Sequence, residues 1–193
     1  MKLIIASNNE HKINEIKTIL KGKFDEILSL NEAGIHCIPE ENGQTFLDNA
    51  LIKVNGIAKQ TTDYAVLADD TGLCVDALNG EPGVKSARYA GNHDNAKNRA
   101  KLLNALADKT NRSAHFCTAV ALKFPNGEIV TAEGRVNGYI LEREEGTNGF
   151  GYDSLFYCPE IGKSFGNATN AEKNAVSHRG RALNNLLKAL SNK

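Results

Sequence analysis

A buried strand that passes through a polar turn into an amphipathic helix opens the chain, and this order constrains the fold more than any other feature. Residues 3–6 form a continuous apolar run, which is typical of a strand buried on both faces of a sheet. Residues 7–9 favour turns and helix caps, and residues 13–20 carry apolar side chains at helical spacing. This unit predicts an α/β protein, in which ligands favour the carboxyl ends of the strands.

Three further helices are predicted from their caps. Thr45 can cap a helix that has Asp48 in its favourable first turn. Asp94 can cap a second, and Ser177 can cap a last helix that begins at His178 and carries a leucine stripe.

Strands are predicted between these helices. Residues 65–68 form a second buried run, which ends at Asp69 and Asp70. A loop-rich segment is expected over residues 72–91, and a hairpin over residues 114–136.

Charge and composition exclude several functions. The 193 residues include 23 Lys and Arg and 23 Asp and Glu, so the formal net charge is zero. Proteins that coat nucleic acid through its phosphates usually carry a basic excess, so we expect no nucleic-acid partner. No segment approaches the roughly 20 apolar residues of a membrane span, so we expect no membrane association and a cytoplasmic location. The length favours one domain over residues 1–193, with two lobes as an alternative form of it.

The four cysteines indicate neither a zinc site nor a disulfide framework. Cys37, Cys74, Cys117 and Cys158 are widely spaced and form no C-x-x-C pair. We interpret them as small buried hydrophobic residues in a reducing compartment.

The first candidate site lies at the start of the first helix. A turn into a helix presents backbone N–H groups and a positive dipole end, which suit phosphate. The segment comprises Ser7, Asn8, Asn9, Glu10, His11 and Lys12. Ordinary helix capping with a solvated lysine is the alternative.

Two acidic pairs form the second candidate. Glu40 with Glu41, and Asp69 with Asp70, can hold a hard cation such as Mg²⁺ or deprotonate a water molecule. Neighbouring strand residues point to opposite faces, so we expect one aspartate of the second pair to face the site and the other to be structural. A solvated acidic surface is the alternative.

Lys53 is unexpected on the apolar face of the Thr45 helix. One interpretation is a lysine that lays its stem on apolar surface and keeps its ammonium in water. The other is a lysine at the rim of a binding cleft.

The segment from Gly149 to Asp153 combines glycines that allow close approach with aromatic faces that could stack on a planar ring. A hinge loop with core-packed aromatics is the alternative. Near the last helix, Lys173, His178 and Arg179 could donate to a ligand carbonyl, and an arginine at a helix start is unfavourable for the dipole.

Six segments, in this order and spacing, resemble the inosine triphosphate pyrophosphatase family, also called Ham1-like. In chain order they are SNNEHK, the region from Glu40 to Lys53, ADDTGL, SARYAG, GFGYD and EKNAVSHRGRAL. The resemblance covers essentially the whole chain.

The resemblance implies a two-lobed α/β fold with a long mixed sheet flanked by helices and an active site in the cleft. It implies hydrolysis of inosine and xanthosine triphosphates, and of their deoxy forms, to the monophosphate and pyrophosphate. It also implies Mg²⁺ as cofactor, a purine nucleoside triphosphate as the small-molecule partner, and a homodimer.

The resemblance also assigns roles. It makes residues 7–12 and Lys53 phosphate ligands, and Thr71 a substrate contact. It makes Glu41 and Asp70, with Glu40 and Asp69 as further candidates, the metal carboxylates, and Asp70 the proton acceptor. For the base, it implies stacking by Phe150, a pocket shaped by Gly151, Tyr152 and Asp153, and recognition of the six-position oxygen by Lys173, His178 and Arg179.

Two residues depart from the family pattern. Lys85 precedes Ser86 where an aromatic is common, and Ser154 follows Asp153 where proline is usual. These departures bear on loop geometry.

Three other functions are alternatives to this one. They are a nucleotide-binding regulator without turnover, a Maf-like pyrophosphatase that prefers pyrimidine or modified bases, and an RNA-binding module, which zero net charge disfavours.

Overall fold

The computed structural model describes residues 1–36, 39–91 and 93–192. The prediction for Cys37 lies outside these residues. The chain divides into two compact units: the first comprises Met1–Asp70, Thr118–Gly134 and Arg181–Lys193, and the second comprises Thr71–Cys117 and Arg135–Gly180. One domain over residues 1–193 stays a prediction.

Seven strands and five helices are found in the described part of the chain. The strands are β1 (Lys2–Ile5), β2 (Glu26–Ser29), β3 (Ala65–Val75), β4 (Ser113–Lys123), β5 (Ile129–Ile140), β6 (Phe156–Cys158) and β7 (Lys163–Ser164). The helices are α1 (Glu10–Ile19), α2 (Phe46–Ala58), α3 (Asn95–Ala105), α4 (Asn170–Val176) and α5 (His178–Ser191). Two 3₁₀ helices, Asp76–Leu78 and Gly83–Arg88, follow β3.

The strands form one mixed sheet in the order β2-β1-β3-β4-β5-β6-β7. β1 pairs in parallel with both β2 and β3, whereas β6 pairs antiparallel with β5 and β7. The predicted α/β class with a mixed sheet flanked by helices is therefore confirmed.

The first unit has an apolar core on each side of its strands. Leu3 and Ile5 of β1 pack in one core with residues of α1 and α5, and Ile4 packs in the other with residues of α2. This division follows from strand geometry, because successive side chains point to opposite faces. It places α1 and α2 on opposite sides of β3.

The second unit has a core of its own, rich in aromatic side chains. Phe156 and Phe165 are fully buried, and Phe116 packs against both rings. Tyr152 belongs to the same core.

The predicted helix caps are confirmed. Thr45 and Asp48 form a complete capping box at the start of α2, and Asp94 accepts a bond from the Lys97 amide at the start of α3. The last helix begins at His178 as predicted, preceded by Ser177.

The predicted end of the second buried strand is wrong. β3 continues through Asp69 and Asp70 to Val75, so the two aspartates lie within the strand. The strand continues because lysine and asparagine side chains reach these carboxylates and compensate their burial, as described below. The loop-rich segment therefore begins after Val75.

No helix among residues 1–36, 39–91 and 93–192 is long and apolar enough to cross a membrane. In the same residues, Cys158 is buried as predicted, whereas Cys74 and Cys117 are half-buried thiols.

Candidate active site

The first unit brings two lysines to the two adjacent aspartates of β3. The Lys12 Nζ lies 3.2 Å from Asp69 Oδ2. The Lys53 Nζ donates to the Asp69 carbonyl oxygen at 2.5 Å and lies 3.3 Å from Glu41 Oε1. Together with Asp70, these four residues form the acidic and basic cluster of the first unit: Lys12, Lys53, Asp69 and Glu41.

Helix α1 places Lys12 at its first turn. The Asn9 Oδ1 caps the helix by accepting the Lys12 amide at 3.2 Å, and the Ser7 Oγ accepts the Asn9 amide at 3.1 Å. Ser7 and Lys12 are half-buried, whereas residues 8–11 are exposed. The capping alternative therefore holds for Asn9, but the Lys12 ammonium is paired with Asp69 rather than solvated.

Helix α2 presents Asn49 and Lys53 one turn apart on the same face. The Asn49 Nδ2 donates to Asp70 Oδ2 at 2.9 Å, and its Oδ1 accepts the Gly43 amide at 2.8 Å. Only 5% of Lys53 is exposed, so the interpretation that its ammonium stays in water is wrong.

Asp69 and Asp70 point to opposite faces of β3. Ala65 and Leu67 pack on the core that contains α1, and Val66 and Ala68 pack on the core that contains α2. Alternation continues this pattern, so Asp69 meets Lys12 of α1 and Asp70 meets Asn49 of α2.

Burial raises the pKa of the Asp70 carboxyl above its ordinary value. The positive charges of Lys53 and Lys12 and the hydrogen bond from Asn49 oppose this rise, while the charge of Glu41 adds to it. A carboxylate with a raised pKa is better suited to accept a proton than a solvated aspartate.

The two residues of the Glu40–Glu41 pair have different surroundings. Glu41 is half-buried and contacts Lys53, whereas Glu40 is exposed. Because Glu41 contacts Lys53, it is the better candidate metal ligand of the two glutamates.

The second unit collects the residues that were predicted to contact a base. The Lys173 Nζ lies 2.6 Å from Asp153 Oδ2, and both side chains are almost fully buried. The same oxygen accepts the Phe150 amide at 2.8 Å, and the Lys173 Nζ lies 4.7 Å from the centre of the Phe150 ring. The ring is half-exposed.

Glycine is required at position 149 for this arrangement. Gly149 has φ of +73°, and a Cβ atom there would lie 2.1 Å from Asp153 Oδ2. Any side chain would therefore displace the carboxylate that holds Phe150 and Lys173.

Arg179 and His178 begin helix α5 beneath this loop. Arg179 is fully buried, its Nη2 donates to Thr71 Oγ1 at 3.1 Å, and its Cζ lies 5.9 Å from the centre of the Phe150 ring. The His178 ring stacks on Phe116 at 4.6 Å. These contacts explain an arginine where the helix dipole disfavours one.

Tyr152 matches the alternative in which loop aromatics pack into the core. It is 5% exposed, and its hydroxyl donates to the Ser86 carbonyl at 2.9 Å. Burial raises the pKa of this hydroxyl. Tyr152 therefore packs into the core, whereas Phe150 of the same loop stays half-exposed.

Three participants were not assigned roles from the sequence. Asn49 carries only the signal of its i,i+4 spacing to Lys53, and helix α4, which places Lys173, has seven residues and no apolar stripe. Arg99 of α3, whose Nη1 donates to the Gly151 carbonyl at 2.9 Å, carries no sequence signal.

The atoms of Glu41 and Asp70 that could bind a metal are carboxylate oxygens, which suit a hard cation. Glu41 and Asp70 are close enough for the charge of Glu41 to raise the pKa of Asp70. Among the residues that the structure describes, no three His, Cys, Asp or Glu side chains are grouped to hold a metal. Two carboxylates are nevertheless the usual protein share of a Mg²⁺ site that is completed by substrate phosphates and water.

The chain is similar to known proteins over nearly its whole length. The model of the Ham1 family matches residues 3–189. The dITP/XTP pyrophosphatase of Leuconostoc mesenteroides is 50% identical over 196 aligned positions, which cover 98% of this chain and 96% of that protein. The protein of the same name from Clostridium perfringens is 51% identical over 193 positions, covering 96% and 95%.

A solved structure is similar over the same length. The Staphylococcus aureus Ham1 protein matches with a TM-score of 0.87 at 39% identity, covering 100% of this chain and 99% of that one. The family model and these relatives together establish that the chain belongs to the Ham1 family.

Proposed function

We propose that this protein hydrolyses non-canonical purine nucleoside triphosphates, namely the inosine and xanthosine forms and their deoxy counterparts, to the monophosphate and pyrophosphate. The observation that carries the proposal is the cluster of Asp70, Glu41, Lys12 and Lys53, which combines a carboxylate of raised pKa with the half-buried ammonium of Lys12 and the buried ammonium of Lys53. The dITP/XTP pyrophosphatases at about 50% identity support this substrate class.

The lysines would bind the triphosphate. Lys12 stands at the start of α1, where backbone N–H groups and the helix dipole also favour anions. Lys53 is held by the Asp69 carbonyl and Glu41, so its ammonium is oriented before substrate arrives. Residues 7–11 would contribute backbone and side-chain donors.

Mg²⁺ would be held by Glu41 and Asp70, whereas Asp69, which is paired with Lys12, and the exposed Glu40 stay alternative ligands. Such an ion offsets triphosphate charge and polarises the phosphoryl oxygens when bound. The supporting observation is the all-oxygen donor set beside two ammonium groups.

Asp70 would accept the proton of the attacking water. Asn49 occupies Oδ2, so we assign proton acceptance to Oδ1. The attack is assigned to the α-phosphorus, because that cleavage releases pyrophosphate and leaves the monophosphate.

The second unit would recognise the base. Phe150 offers a face for stacking, and Lys173, His178 and Arg179 are donors that suit an oxygen at the six position. An adenine amino group would meet these donors with hydrogen atoms, which leaves buried polar groups unpaired and rejects that base. Thr71 is held by Arg179 and would contact the substrate beside it.

Product analysis tests the proposal. Inosine triphosphate is incubated with the protein in ¹⁸O-water with and without Mg²⁺, and the products are separated and their masses measured by mass spectrometry. Release of pyrophosphate with the label in the monophosphate supports the proposal. Release of orthophosphate, or bound nucleotide without turnover, would favour a different hydrolase or a regulator.

Two further expectations stay predictions. The protein is proposed to form a homodimer and to act in the cytoplasm. Light scattering of the purified protein measures the mass, and a value for one copy of the 20.9 kDa chain would contradict the dimer.

A further inference from the structure

One carbonyl of the loop from Gly149 to Ser154 is held differently from its neighbours. The other carbonyls of residues 150–154 accept backbone amides: Phe150 from Asp153, Tyr152 from Leu155, Asp153 from Gly166, and Ser154 from Glu145. The Gly151 carbonyl accepts Nη1 of Arg99 at 2.9 Å. The Gly151 carbonyl is therefore hydrogen-bonded by a side chain of α3, whereas the other four carbonyls are hydrogen-bonded by backbone amides.

The Arg99 guanidinium also forms an ion pair. Its Nε lies 2.9 Å from Glu144 Oε2, and 20% of its side chain is exposed. The same Glu144 oxygen accepts the Ser154 hydroxyl at 2.9 Å. Arg99, Glu144 and Ser154 thus form a brace that contacts the loop at residue 151 and again at residue 154.

The backbone of this loop needs such support. Gly149 and Gly151 both have positive φ, at +73° and +61°, and glycine restricts its neighbours least. The segment between the two contacts of the brace includes Asp153, which holds the Phe150 amide and Lys173. A shift of Gly151 would therefore move the stacking ring and the buried ammonium together.

We propose that Arg99, acting with Glu144 and Ser154, is a positioning residue that sets the specificity of the enzyme for the purine base. This proposal rests on the proposed function. Ser154 gives the brace its second contact with the loop, because its hydroxyl donates to Glu144.

The brace is tested with Arg99→Met, which keeps an apolar stem, and with Arg99→Lys, which keeps the charge. Lys97→Met is the matched control, because Lys97 is on the same helix and its side chain is 70% exposed. Hydrogen exchange is measured first, at the amides of Asp153 and Leu155. The brace predicts faster exchange there in Arg99→Met and unchanged exchange in β1.

Kinetics then separate positioning from a general loss of structure. Arg99→Met is expected to raise KM for inosine triphosphate about tenfold and to lower the preference over adenosine triphosphate, with kcat changed less than about twofold. Inhibition by inorganic pyrophosphate, which has no base, should match the control. Arg99→Lys should recover part of the preference.

Three outcomes would overturn the proposal. In Arg99→Met, the first is exchange rates equal to those of Lys97→Met, and the second is an unchanged preference for inosine over adenosine triphosphate. The third is a loss of pyrophosphate inhibition as large as the loss of affinity for inosine triphosphate. The activity of the wild-type protein is measured before any variant is made. A wild-type protein that leaves inosine triphosphate intact would contradict the proposed function rather than the brace. The exchange rates would still decide whether the brace holds the loop.

Discussion

The Asn49 side chain donates to the carboxylate of Asp70 at 2.9 Å, in a contact where both residues are buried. Its carbonyl oxygen accepts the amide of Gly43 at 2.8 Å. One asparagine therefore connects the proposed proton acceptor with the segment that precedes α2. The Asp70 carboxylate and the turn before the helix should respond together to changes at Asn49.

Replacing Asp70 with Asn should abolish most of the activity. The amide keeps the size of the side chain but accepts no proton, and general base catalysis contributes about 10²- to 10⁴-fold. Pyrophosphate release from inosine triphosphate is expected to fall by at least about a hundredfold in kcat. Far-ultraviolet circular dichroism serves as the control for folding. Turnover near the wild-type value would remove Asp70 from the role of proton acceptor.

Replacing Asn49 with Ala should lower stability as well as activity. The change leaves the Gly43 amide and one Asp70 oxygen without this partner, and such a loss costs about 1–3 kcal/mol of unfolding free energy. Urea denaturation measures the effect. Asn55→Ala, on the same helix, is the matched control, because the half-buried Asn55 accepts a bond from Lys123. Equal stability losses in the two variants would show that the Asn49 contact has no special weight.

The buried pair of Lys173 and Asp153 should be costly to break. Lys173→Met leaves the Asp153 carboxylate buried beside an apolar side chain, and breaking a buried pair typically costs about 3–5 kcal/mol. The double variant Lys173→Met with Asp153→Asn should recover part of this loss, because no lone charge remains and an acceptor for the Phe150 amide is kept.

The control is an exposed pair in the same unit. Lys163 and Glu172 lie 2.9 Å apart with side chains 37% and 40% exposed, so Lys163→Met should cost less than about 1 kcal/mol. A loss for Lys173→Met as small as that for Lys163→Met would contradict the account of the buried pair.

Glu172 should make the stability of the protein depend on acid. Hydrogen bonds from the Thr169 amide and from Lys163 lower the pKa of Glu172 from 4.5 to about 2. A carboxyl with a lowered folded-state pKa stabilises the fold fully above its unfolded pKa, and this contribution is lost as pH falls from about 4.5 towards 2. The stability difference between wild type and Glu172→Gln should therefore be larger at neutral pH than near pH 2. A difference that grows as pH falls would have the wrong sign.

Local patterns predicted those parts of the fold that depend on local physics. The strand before Ser7, the helix after Asn9 and the capping box of Thr45 and Asp48 are each determined by neighbours within a few residues. The stop assigned at Asp69 was wrong because the compensating charge of Lys12 comes from a residue distant in sequence.

The sequence indicates candidate site residues, but not the contacts that they make. No local pattern separates Glu41, which reaches Lys53, from Glu40, which is exposed. Tyr152 and Phe150 are both aromatic residues in one loop, yet only tertiary packing directs the first into the core. Helix α4, which carries Lys173, is too short to show an apolar period, so its local signal is limited to the capping box of Thr169 and Glu172.

The central claim is that this Ham1 protein selects purines with an oxygen at the six position and releases pyrophosphate from them. The most direct measurement is kcat/KM for pyrophosphate release from inosine, xanthosine, guanosine and adenosine triphosphates, assayed side by side with Mg²⁺. The account predicts that inosine and xanthosine triphosphates exceed adenosine triphosphate by at least about a hundredfold. Equal values for inosine and adenosine triphosphates would contradict it.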